Sequence, residues 1–184
     1  EPFYLVGHSL GGQFGMAYAG QFSSTLKGIV IMDSAPSVPM KGVFHLLLAD
    51  AFTPKGFKSK EDIQKFYGRG GESIGKYMAD YCFIQKSDGK YQLRYDKKNI
   101  GTTSMMENMR RNKYLWDSFK KIKVPCLFIK AGKSKVITNS MIMMMKGFMT
   151  KMELFVVNGA NHHELTFQWA KDISVEIRNF FKKN

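Results

Sequence analysis

The chain has 184 residues, 44% of them hydrophobic, which fits one domain with a real core and is ordinary for a soluble globular protein. No stretch is long and apolar enough to span a membrane as a helix. The formal net charge of +13 invites nucleic acid or an acidic surface, yet the lysines are spread through loops and helix faces, and no helix-turn-helix, zinc finger or aromatic RNA-binding signature accompanies them.

Phe3 to Val6 predicts a buried strand that runs into Gly7-His8-Ser9-Leu10-Gly11-Gly12, and Gln13 to Phe22 predicts a helix with Phe14, Ala17, Tyr18 and Phe22 at helical spacing. G-x-S-x-G between a strand and a helix is how a nucleophilic serine is presented. The small residues Gly7 and Gly11 let backbone approach a strained turn that thrusts the Ser9 hydroxyl outward. The chain opens on Glu1 with a strand already under way, so no signal or transit peptide is visible and the start reads as a cut. Upstream residues or a second chain are then expected beside Phe3 to Val6, supplying a second oxyanion donor to complement the N–H of Leu10.

Lys27 to Met32 predicts a second strand, continuous and apolar, ending on Asp33-Ser34-Ala35-Pro36. From Lys41 to Lys123 the pattern changes to helix-like, lysine-rich segments with turn punctuation such as Ser87-Asp88-Gly89. An excursion of that length between core strands predicts a cap over the site. Within it, Gly70 to Lys76 imitates a phosphate-binding loop, but Tyr77 stands where Ser or Thr should hold magnesium and no strand precedes it. His45 reads as packing or rim. Arg94 to Arg111 with Lys120, Lys121 and Lys123 is the nearest approach to a basic patch, suited to an anionic ligand, acidic lipid or acidic protein. Cys82 and Cys126 stand far apart in apolar settings and read as buried free thiols of a reducing compartment.

Val124 to Ala131, entered through Pro125, predicts a third strand, and Glu153 to Val157 a fourth. Apolar runs separated by helices argue for parallel strands covered on both faces. The methionine-rich helix Ser140 to Met149 reads as adaptable core packing. A closing helix places Trp169, Ile173, Ile177 and Phe180 on one face, with Lys182-Lys183 at its C-terminal end.

A serine hydroxyl needs a base, and in the order that accompanies this nucleophile turn the acid comes next and the histidine last. His162 and His163 follow the last strand in Val157-Asn158-Gly159-Ala160-Asn161-His162-His163. His162 aligns with the usual glycine-histidine-aromatic ending, but Asn161 replaces that glycine, so a shifted turn would present His163 instead. The slot after the third strand, Gly132-Lys133-Ser134-Lys135, supplies no carboxylate, and Ser118 to Met152 contains no Asp or Glu. Asp33, at the end of the second strand, is the remaining candidate acid, its other reading being a cap on the turn before Pro36.

Gly7 to Gly12, Ile31-Met32-Asp33-Ser34-Ala35-Pro36, Val124 to Ile129 with Gly132-Lys133-Ser134, and the His162 turn together resemble one branch of the alpha/beta-hydrolase superfamily. That branch comprises bacterial short-chain esterases and the mitochondrial abhydrolase domain-containing protein 11. The resemblance implies an α/β fold, the C-terminal part of an alpha/beta hydrolase with a parallel sheet flanked by helices and a mainly helical cap. It divides the chain into core with the nucleophile turn at 1–40, cap or lid at 41–123, and core with the histidine at 124–184. It also implies hydrolysis of short to medium acyl esters or thioesters through an acyl-enzyme, with Ser9, Asp33 and His162 as the triad and no metal or organic cofactor. The setting would be mitochondrial in a eukaryote and otherwise cytoplasmic. The rival expectation is a weak or inactive hydrolase-derived subunit whose basic surface docks an acidic protein.

Overall fold

A computed structural model describes residues 1–39, 42, 52–94, 105–149 and 151–184. His45 and the middle of the Arg94 to Arg111 stretch lie outside the described residues. The chain packs as two units, Glu1–Leu46 with Ser104–Asn184, and Leu47–Thr103.

The first unit is built on four parallel strands, β1 (Phe3–His8), β2 (Leu26–Met32), β5 (Cys126–Ala131) and β6 (Met152–Val157), in that spatial order. The helices α1 (Leu10–Gln21), α4 (Met105–Phe119), α5 (Asn139–Phe148) and α6 (Ala170–Lys183) accompany them. The apolar runs of β2 and β5 carry little polar alternation because both faces of these central strands are covered. Ile29, Ile31, Cys126 and Phe128 pack on one face with Met16 and Ala19 of α1, Phe119 of α4 and Met145 of α5. Val30, Met32, Leu127 and Ile129 pack on the other with Ile173 and Phe180 of α6. Each of these large side chains contributes about 1.5–3 kcal/mol by leaving water.

The structure differs from the sequence pattern at β1, α1 and α5. Among the described residues β1 lies at the sheet edge, paired only with β2, and Phe3 and Val6 are exposed. α1 buries Gly12, Gln13, Gly15, Met16 and Ala19, while Phe14 and Phe22 lie in solvent. Small residues let the helix axis come close to the sheet, and of the large apolar residues at helical spacing Tyr18 packs partly against the core. In α5, Met141, Ile142 and Met145 are buried but Met143 and Met144 are exposed, so the methionines only half fill a core.

The second unit holds α2 (Lys60–Tyr67), α3 (Glu72–Tyr77) and a two-stranded antiparallel sheet of β3 (Phe83–Gln85) and β4 (Tyr91–Leu93). Ser59 caps α2 by accepting the Asp62 N–H, and Phe57, Ile63, Ala79 and Phe83 form its own core. No helix among the described residues is long and apolar enough to cross a membrane.

Candidate active site

Parallel strands direct their carboxyl ends to one edge of the sheet, where open α/β sheets hold ligands. There β1 ends at His8, β2 at Met32 and β6 at Val157, and the loops that follow carry Ser9, Asp33 and His162.

Ser9 sits between β1 and α1 with φ 53° and ψ −121°, a backbone region that costs a side-chain-bearing residue about 1–3 kcal/mol. The surroundings hold it there. The Ser9 N–H donates to the Met32 carbonyl at 3.0 Å, and the Ser34 hydroxyl donates to the Ser9 carbonyl at 2.6 Å. A Cβ on Gly7 would meet the Gly11 carbonyl oxygen at 2.4 Å, and one on Gly12 would meet Ser34 Cβ at 2.6 Å. A Cβ on Gly11 meets nothing within 4 Å. The tight pair is therefore Gly7 and Gly12, not Gly7 and Gly11 as the spacing suggested. Leu10 opens α1, and its N–H belongs to the first turn, where helices have donors to spare.

The hydroxyl of Ser9 donates to Nε2 of His162 at 2.9 Å, and Nδ1–H of His162 donates to Oδ2 of Asp33 at 2.7 Å. A carboxylate only accepts, so Asp33 fixes the tautomer and leaves Nε2 free to take a proton. Asp33 is fully buried, in a second positive-φ conformation at 44°, and the Ala131 N–H donates to its Oδ1 at 3.1 Å. The Ser134 hydroxyl donates to its Oδ2 at 2.6 Å. The slot that lacked a carboxylate thus supplies a hydroxyl that anchors the one after β2. Such a chain of hydroxyl, imidazole and carboxylate can withdraw a proton while the oxygen attacks an electrophile.

His162 reaches both partners, and His163 stands beside it with ring centroids 5.1 Å apart. Asn161 does not shift the turn. The left-handed bend falls at Gly159, φ 91°, while Asn161 keeps an ordinary φ and acts as a cap. Its Oδ1 accepts from the N–H groups of His163 and Glu164, each at 3.1 Å, and Glu164 Oε2 reaches back to the Asn161 N–H at 2.9 Å. This reciprocal pair is a capping box, and its Asn-x-x-Glu spacing was readable in the sequence. The Ser134 contact, and the 3.0 Å contact of His8 Nε2 with the His162 carbonyl oxygen, carried no local signal.

A family model for the alpha/beta hydrolase fold matches residues 1–165. The chain belongs to that family. Among solved hydrolases of this fold, E-2-(acetamidomethylene)succinate hydrolase superposes with a TM-score of 0.80 at 16% identity, over 98% of this chain and 66% of that one. The thioesterase domain from the curacin biosynthetic pathway gives 0.72 at 19% identity, over 97% and 67%. An esterase from Mycobacterium tuberculosis gives 0.72 at 18%, over 96% and 59%. Identities this low establish a shared fold, and the chain spans 59–67% of these three structures' lengths. No curated protein matches the sequence.

Proposed function

We propose that this hydrolase chain carries the Ser9-His162-Asp33 triad of an enzyme that cleaves carboxylic esters or thioesters of short to medium acyl groups. The observation that carries the reading is the unbroken hydrogen-bond chain of 2.9 Å and 2.7 Å from a serine held on a strained turn, through imidazole, to a buried carboxylate. Ser9 Oγ attacks the acyl carbonyl carbon as His162 Nε2 takes the hydroxyl proton, and the Leu10 N–H donates to the oxyanion that forms. The tetrahedral species collapses, the alcohol or thiol leaves with the proton from Nε2, and an acyl-serine remains. Water then gives a proton to the same nitrogen as it attacks, releasing the acid and restoring the Ser9 hydroxyl. Asp33 keeps its charge throughout and steadies the imidazolium.

The choice of bond is supported by structural neighbours that are an esterase and a thioesterase domain. Acyl length and the short-chain esterase branch rest on the motifs, above all Asp33 just after β2 with Ser134 in the later slot. The same reading expects another strand, from elsewhere in the protein or from a second chain, along the β1 edge where Phe3 and Val6 are exposed. A fluorophosphonate probe should label Ser9 in the full protein. The Ser9→Ala variant should escape labelling and lose about 10⁶-fold in turnover of p-nitrophenyl butyrate and of an acyl thioester. Unchanged hydrolysis by that variant would remove Ser9 as nucleophile.

A further inference from the structure

His8, the residue just before the serine, has no part in the chemistry above. It ends β1, and its ring lies against that of His162, with centroids 4.7 Å apart and planes at 34°. Its Nε2 stands 3.0 Å from the backbone carbonyl oxygen of His162. A carbonyl only accepts, so the His8 proton is on Nε2 and His8 is the donor. One side chain thus touches His162 at both ring and backbone, and it comes from the strand that delivers Ser9. A residue that merely filled this volume would need no donor aimed at that oxygen.

The groups facing His8 are His162 and His163 on the turn and Asp33 at the end of β2. Burial first, and the neighbouring His162 second, push the His8 imidazole down to about 4, against which the His162 carbonyl and Asp33 pull upward. His8 is therefore neutral at neutral pH. It keeps its N–H donor without placing a second cation beside an imidazole that must itself carry a proton during turnover.

We infer that His8 is a positioning residue for the proposed hydrolysis: its Nε2–H grips the His162 backbone so that the imidazole stays between Ser9 and Asp33. The inference rests on the serine-hydrolase reading, and its test separates the two. In the full protein, wild type is compared with His8→Gln, which keeps an N–H at the reach of Nε2, and His8→Met, which keeps volume and loses the donor. Sites are counted by fluorophosphonate labelling taken to completion, and kcat and KM for p-nitrophenyl butyrate are expressed per labelled site. His8→Met should lower kcat about 10- to 100-fold with KM within about twofold, and His8→Gln should stay within about threefold of wild type. A purely structural histidine would change the number of labelled sites and leave kcat per site alone. Equal kcat per site in all three proteins overturns the inference, as does an equal loss in both variants. A wild-type protein that is neither labelled nor active brings down the serine-hydrolase reading, and the His8 role with it, before any variant is compared.

Discussion

The turn that presents Ser9 and the turn that presents His162 solve the same problem by different means. At Ser9 the shape is set by exclusion, because Gly7 and Gly12 have no room for a Cβ and the serine itself holds φ 53°. At His162 the shape is set by polar attachment: the Asn161–Glu164 box closes the turn, His8 holds its backbone and Asp33 holds the ring. Steric exclusion tolerates almost no substitution, whereas hydrogen bonds are individually small and exchangeable. Asn161 accordingly closes its turn through hydrogen bonds with an ordinary φ, and the left-handed residue of the turn is Gly159.

Asp33 holds the His162 ring that reaches Ser9, so its loss should be the largest effect after that of Ser9. Asp33→Asn keeps the size but puts an amide opposite Nδ1, favouring the wrong tautomer of His162. Turnover should fall about 10⁴-fold while the fold, followed by circular dichroism, is kept. A loss of tenfold or less would mean that the attachments from His8 and the Asn161 box orient the imidazole without the carboxylate.

The difference between the two turns also decides what could be read from sequence. The strands, the turn at Ser9 and the placing of Asp33 beside the late histidine were legible because a parallel sheet needs apolar runs and because a bare Gly-Lys-Ser-Lys slot left one carboxylate. The packed face of α1 was harder to read, since Gly12, Gly15 and Ala19 contribute close approach rather than bulk beside Gln13 and Met16. Ser134 on Asp33 spans 101 positions and His8 on His162 spans 154, and no periodicity reports a contact of that separation. Asn161 was visible as a departure from glycine, but Glu164 three residues on was the signal that explained it.

The steric character of the first turn can be tested within the motif. Gly7→Ala puts a methyl against the Gly11 carbonyl, which is backbone and cannot swing away, and should cost about 1–3 kcal/mol of stability together with most of the Ser9 labelling. Gly11→Ala meets open space in α1 and should be neutral or more stable by roughly 0.5–1 kcal/mol. Thermal melts of the two variants check the contrast. Equal damage from both would show that the motif glycines act through chain flexibility and not through contact.

The polar character of the second turn predicts the smallest effect and the most graded one. Asn161→Ala removes the acceptor for two N–H groups and should cost about 0.5–2 kcal/mol, whereas Asn161→Gly should cost only a few tenths, because glycine leaves those donors open to water. Glu164→Gln keeps an oxygen for the Asn161 N–H and should be milder than Glu164→Ala. Activity should follow the same order and fall by no more than about tenfold, since His8 and Asp33 still hold His162 from two other directions. If Asn161→Ala instead proves as damaging as Asp33→Asn, the box is not one attachment among several but the sole hinge of the turn, and the two turns are equally intolerant.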